Sequence, residues 1–165
     1  MRGRRIGADP AQIESIYRTR LADFRRVANA IVGDTDRGAD AVQEAFGSAL
    51  RRRRAFRGEA PLEAWLWRLV VNQARDERRA AARRPLYAGD VQPSSNGSAP
   101  HEHDLLATAI TMLPERQRLV VFLRYYADLD YSSIAAALEI KEGTVGAALN
   151  AAHDTLRHSL QEAHR

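Results

Sequence analysis

The sequence contains no cysteine. That excludes disulfides and thiolate metal sites, and it points to a reducing compartment, the cytoplasm. Lysine is scarce too: of 25 basic residues only Lys141 is a lysine. Arginine carries the positive charge, and its planar fork suits phosphate oxygens and base edges. No run approaches the roughly 20 apolar residues of a membrane helix, so no membrane insertion is expected. The opening MRGRRIGADP has basic residues without an apolar segment behind them, which is not a secretory signal. Strand-period alternation and internal repeats are missing. No nucleophile–base pair stands out. His101-Glu102-His103 has the wrong spacing for two metal ligands on one helix face, and no third ligand is evident. The expectation is an all-α protein that holds no cofactor and is not an enzyme.

The charge is unevenly spread. The net charge of the 165 residues is +4. Residues 1–100 carry 19 basic and 12 acidic side chains, whereas residues 101–165 carry 6 and 9. Polyanion binding is therefore expected in the first part. Between the two parts lies PLYAGDVQPSSNGSAPHEH, residues 85–103, rich in Pro, Gly and Ser and poor in apolar residues. It reads as a flexible linker.

Residues 1–9 read as a loose basic arm. From Pro10, Ile13, Ile16, Tyr17, Leu21, Phe24, Val27 and Ile31 keep helical spacing until Gly33. A second helix is expected over about 37–54, capped by Asp36, with Ala39, Val42, Ala45/Phe46 and Ala49/Leu50 as its apolar stripe. Phe56-Arg57-Gly58-Glu59 breaks the pattern as a loop. Pro61–Arg84 then forms a third helix. Its apolar face is read as Leu62, Trp65, Leu66, Leu69 and Val70. Arg68, Asn72, Arg75 and Arg79, spaced +4, +3, +4, share a separate stripe of guanidinium groups and one carboxamide. On its own this stripe fits a solvated charged face as well as a nucleic-acid surface. Asp76 and Glu77 are placed to pair with some of the arginines. Trp65 falls on the core side; Trp67 falls off it, at a binding surface or a domain interface.

After the linker, apolar stripes mark a helix around Leu105–Leu113 and another over Glu115–Tyr126. A short helix follows Asp130, then the polar turn Glu139-Ile140-Lys141-Glu142, then a long helix from Gly143 with Val145, Leu149, Ala152 and Leu156 inward. A short helix, a tight turn and a longer helix form a helix-turn-helix.

Four stretches together carry a family resemblance. They are Asp40-Ala-Val-Gln-Glu-Ala-Phe46; Phe56-Arg-Gly with Trp65-Leu and Val71-Asn72; Leu113-Pro-Glu-Arg-Gln-Arg118 with Leu123-Arg-Tyr-Tyr126; and Ile134-Ala-Ala-Ala-Leu138 with Glu142-Gly-Thr-Val145. In this order and spacing the chain resembles the extracytoplasmic-function (ECF) group of the sigma-70 family of bacterial RNA polymerase sigma factors. The resemblance implies two small helical domains, region 2 over residues 10–84 and region 4 over residues 104–165. It implies a factor that binds core RNA polymerase through the largest-subunit coiled coil and the flap, reads −10 and −35 promoter DNA and promotes melting. An anti-sigma factor is a further implied partner. By the same resemblance Asp40, Gln43 and Glu44 contact polymerase. Phe56, Arg57, Trp67, Arg68, Asn72, Arg75 and Arg79 contact the −10 element, with the Phe56–Glu59 loop taking up a flipped base. Arg116, Arg124, Ser132, Lys141, Thr144, Ala147 and Asn150 contact the −35 element, with Arg118 as a further cation nearby. Phe46 lies either on the polymerase patch or in the core.

The chain departs from the family pattern in the second domain. Relatives place basic residues after Gly-Thr-Val, but no Lys or Arg lies between Lys141 and Arg157. Relatives also have Gly in the turn where this chain has Glu139. A neutral recognition helix forgoes most of the phosphate attraction that dominates DNA affinity. Two other readings follow: a sigma-like decoy that binds an anti-sigma factor without reading promoters, and an ordinary helix-turn-helix regulator.

Overall fold

The computed structural model describes residues 7–83 and 102–163, with side chains described from residue 105 in the second stretch. The 85–103 linker lies almost wholly outside the described residues, as do the first six residues of the basic arm and His101. Seven α-helices are described: α1 (Pro10–Val32), α2 (Thr35–Arg51), α3 (Leu62–Arg83), α4 (Glu102–Thr111), α5 (Glu115–Tyr125), α6 (Tyr131–Leu138) and α7 (Glu142–Ala163). A 3-10 turn, Arg53–Ala55, follows α2. No strand occurs among the described residues.

The first half is a three-helix bundle in which α1, α2 and α3 all pack on one another. Asp9 caps α1 by accepting from the Ala11 N–H at 3.0 Å. Gly33 ends α1 at φ 80°, donating to the Asn29 carbonyl at 2.8 Å. That left-handed conformation is one glycine adopts without strain. The second helix starts earlier than the sequence pattern suggests, because Asp34 and not Asp36 is the cap, accepting from the Arg37 N–H at 2.9 Å. It also ends earlier, at Arg51, where the arginine run tightens into the 3-10 turn. Where α1 meets α2, a Cβ on Gly38 would stand 2.0 Å from the Asn29 Oδ1 and 2.9 Å from its backbone. Only glycine allows that approach. Two residues of the expected arm are tied down: Ala8 N–H donates to the Arg53 carbonyl at 2.8 Å and Gly7 N–H to the Phe56 carbonyl at 3.2 Å.

The core of this half is aromatic. Phe24, fully buried, lies 4.1 Å between ring centroids from Trp67 and 5.0 Å, edge-on, from Phe46. Phe46 also meets Tyr17 edge-on at 4.8 Å. Phe46 is thus a core residue, which resolves the alternative left open by sequence.

Trp67 is corrected outright. It is completely buried, whereas Trp65 is only partly so. The buried face of α3 is Ala64, Leu66, Trp67, Val70, Val71 and Ala74. Counting large apolar residues alone had placed that face one strip aside. Ala64, Val71 and Ala74 are small residues on the true face and centre it on Trp67.

The second half is built around α5, whose Leu119–Leu123 are all buried. Ile134 of α6 and Val145, Leu149 and Ala152 of α7 close on it. Arg118 is 8% exposed and donates to the carbonyls of Thr111 and Leu113, at 2.7 and 3.4 Å. It holds the end of α4 against α5 and is not free for DNA. Asp130 caps α6 by accepting from the Ser133 N–H at 2.7 Å. That backbone hydrogen bond, with a second from the Ser133 side chain, holds the Asp130 carboxyl below its ordinary range. The expected helix-turn-helix is present as α6, a turn and α7. Its turn contains Glu139 at φ 56°, a left-handed position filled by a residue other than glycine.

The two halves touch. Helix α6 lies across α3, and α1 meets α5.

Candidate nucleic-acid and polymerase interface

The arginine stripe runs along α3 beside its buried face. Asn72 and Arg79 are exposed; Arg68 and Arg75 are partly covered. Trp65 stands three residues before Arg68 and belongs to the same stripe. Its ring packs 5.5 Å from Phe56, so an aromatic pair sits at the N-terminal end of the row of cations. The loop beside that pair exposes Arg57, Gly58 and Glu59, with Gly58 at φ 72°. Trp65, which sequence reading assigned to the core, is half-buried and packs against the core, so it joins the stripe only in part. The signal that could have found it was the spacing 65, 68, 72, 75, 79, which continues the stripe back by one step.

The arginines are partly engaged by acids. Arg79 pairs with Asp76 at 3.7 Å, exposed to solvent, and Arg37 of α2 meets Glu77 at 3.9 Å. Arg75 and Arg68 are held across the seam between the halves. Arg75 meets Glu115 of α5 through two hydrogen bonds, at 2.7 and 3.3 Å, and Arg68 meets Glu139 at 3.0 Å. The Arg75 hydrogen bond holds the Glu115 carboxyl below its ordinary range, against the opposing effect of burial.

On α2, Asp40, Gln43 and Glu44 are exposed together on one face. Glu44 pairs with Arg51 at 2.7 Å. Beside them a cavity of about 440 Å³ opens between α1 and α2, lined by Ile13, Tyr17, Gln43, Phe46 and Leu50. Leu50, expected inward, is 42% exposed at its rim.

In the second half Ala147 and Asn150 are exposed on α7 with Thr144 half-buried, Lys141 is exposed in the turn just before α7, and Ser132 is exposed on α6. Arg116 is exposed. Arg124 instead ties down the α5–α6 turn, donating to the Leu129 carbonyl at 3.1 Å and lying 3.5 Å from Asp128. Among the described residues no cluster of potential metal ligands occurs, and no helix is long and apolar enough to cross a membrane.

A three-helix unit is followed by a helix-turn-helix unit, and each matches a family of the sigma-70 transcription initiation factors, which are non-catalytic partners of RNA polymerase. Residues 16–84 match the family "Sigma-70 region 2" and residues 103–153 match "Sigma-70, region 4". The chain is 32% identical over 163 residues to the ECF RNA polymerase sigma factor SigL of Mycobacterium tuberculosis, covering 94% of this chain and 92% of that one. It is 30% identical over 139 residues to the ECF RNA polymerase sigma-E factor of Escherichia coli, covering 74% and 73%. The chain belongs to the ECF sigma factors. Such a factor binds core RNA polymerase and recognises promoter DNA for transcription initiation. Two solved structures share the fold. One is the sigma factor RpoE with the anti-sigma factor NepR from Bartonella quintana, with TM-score 0.69, 21% identity and coverage of 91% and 97%. The other is CnrH with the cytosolic domain of CnrY, with TM-score 0.71, 20% identity and coverage of 94% and 91%.

Proposed function

We propose that residues 10–83 act as the polymerase- and −10-binding unit and that α4–α7 act as the −35-binding unit of a cytoplasmic initiation factor without enzymatic activity. The observation that carries this reading is the row Trp65, Arg68, Asn72, Arg75, Arg79 on one face of α3, with Phe56 and Arg57 at its head. The guanidinium groups neutralise phosphates, Asn72 reads a base edge, and the Phe56–Trp65 pair offers a stacking platform for an unstacked base. Asp40, Gln43 and Glu44 contact the polymerase coiled coil, and the apolar cavity beside them takes an apolar side chain of that partner. Ser132, Lys141, Thr144, Ala147 and Asn150, with Arg116, face the −35 element. Small alanines there admit thymine methyls and Asn150 pairs with adenine. An anti-sigma factor is a further partner of this chain, in line with the complexes formed by the two structural relatives.

The test is run-off transcription with purified core polymerase on fragmented source DNA. Specific new transcripts support the reading; polymerase binding without transcripts favours the decoy. Asn72→Ala combined with Arg75→Ala is expected to abolish strand opening, read by permanganate reactivity, while polymerase binding survives. Unchanged opening would remove the −10 assignment from α3.

A further inference from the structure

Two hydrogen bonds tie residues 7 and 8 to the turn that carries Phe56. The Ala8 N–H donates to the Arg53 carbonyl at 2.8 Å and the Gly7 N–H to the Phe56 carbonyl at 3.2 Å. The same Arg53 carbonyl accepts from the Phe56 N–H at 3.3 Å. The two acceptors bracket the 3-10 turn Arg53–Ala55, which leads into the exposed loop Arg57, Gly58, Glu59.

The strap is shaped for this place. Gly7 stands at φ 66°, a left-handed conformation that glycine adopts without strain. A Cβ on Gly7 would lie 3.7 Å from the Arg53 carbonyl oxygen and 3.8 Å from the Arg54 Cα, so its backbone passes directly over the turn. Ala8 is 7% exposed and belongs to the core of the bundle. Asp9 then caps α1 through the Ala11 N–H, a bond that does not involve Gly7 or Ala8. The strap thus runs from a fixed point on the core to the turn.

The turn has reason to be braced. It gathers Arg52, Arg53 and Arg54 at consecutive positions, where like charges repel. Arg53 bends back to donate to the Leu50 carbonyl at 3.1 Å. Arg52 and Arg54 are exposed and, among the described residues, meet no acid. In the loop beyond, Arg57 lies 4.0 Å from Glu59 with both exposed, a tie worth little. Phe56 sits between the braced turn and this loop. Its carbonyl is held by Gly7, its N–H by Arg53, and its ring stands 5.5 Å from Trp65. With both backbone groups engaged, little freedom remains to swing the ring away from Trp65.

We propose that Gly7 and Ala8 are positioning residues for base capture: their strap holds Phe56 in its base-accepting place before DNA arrives. The inference rests on the reading of Phe56 and Trp65 as a stacking platform. A platform ordered in advance loses no binding energy to its own ordering, so the strap strengthens the grip on one unstacked base. Gly7 and Ala8 act through Phe56 and do not touch the base.

The test uses holoenzyme reconstituted from the full chain and core polymerase. Its probe is a fluorescein-labelled non-template strand of the −10 region of a promoter mapped by run-off transcription, intact or with one abasic site moved along it. The wild type is expected to lose affinity at one abasic position, and Phe56→Ala to erase that loss. Gly7→Pro removes the N–H and forbids φ 66°, so it detaches the strap. Gly7→Asn keeps the N–H and tolerates the left-handed conformation, so it serves as the rescue. Gly7→Pro should bind the intact strand about fivefold more weakly, yet match the wild type on the strand abasic at that position and in affinity for core polymerase. Gly7→Asn should behave as the wild type. Helix content and melting temperature check folding; if Gly7→Pro lowers them, Gly7→Val, which keeps the N–H but not the conformation, takes its place. Equal weakening on intact and abasic strands would show that the strap only supports the fold, and overturns the proposal. Unchanged binding to both strands overturns it as well. If no abasic position separates the wild type from Phe56→Ala, the stacking-platform reading itself falls and takes the inference with it.

Discussion

Trp65 and Trp67 are two residues apart and do opposite work. Trp67 fills the centre of the first bundle against Phe24, and its indole N–H reaches Glu63 at 3.4 Å. Replacing it with alanine removes the largest fully buried side chain and is expected to destabilise the bundle by about 3–5 kcal/mol, measured by denaturant unfolding. Trp65 is half-buried and pairs with Phe56 at the rim of the core. Trp65→Ala should leave most of the stability in place and lower promoter opening in a permanganate assay. If Trp65→Ala unfolds the protein as Trp67→Ala does, the stacking platform loses its basis. The sequence could not separate the two, because large apolar side chains outweigh the alanines that mark the true buried face.

Helix α2 shows how one element serves two surfaces. Ala41, Val42, Ala45, Phe46 and Ala49 face the core while Asp40, Gln43 and Glu44 face out. Gln43→Ala with Glu44→Ala is therefore expected to keep helix content and melting temperature while weakening polymerase affinity about tenfold or more, in the range of interface hot spots. Normal affinity would move the contact elsewhere. This amphipathic division was legible from spacing alone, as were α1, α5 and the helix-turn-helix. Capping was less so: Asp34 and Asp36 are equally good caps by type, and only the bond to Arg37 selects the first. Arg118 and Arg124 could not be read either. An arginine that braces a carbonyl looks the same in sequence as one that meets a phosphate.

The contact between the halves was the part least visible beforehand. The uneven charge, basic before residue 100 and acidic after it, suits DNA in one half and that half's own partner in the other. Charge counts do not say which acid meets which arginine. The seam also sets a pH expectation. The Glu115 carboxyl is held low by Arg75, so its contribution to closure is present above the ordinary glutamate range, about pH 4.3, and is lost as pH falls through its lowered value. The radius of gyration of the free chain, measured by small-angle scattering, should rise as pH falls through that lowered value; a chain that stays as compact there would show that Glu115 contributes little to the contact.

The α3–α6 seam has a kinetic consequence. If opening must precede engagement with DNA, the factor has a pre-equilibrium of its own. Its rate of open-complex formation then rises with DNA concentration only until parting of the halves becomes the slow step. Beyond that point the rate levels off at a value set by the chain itself.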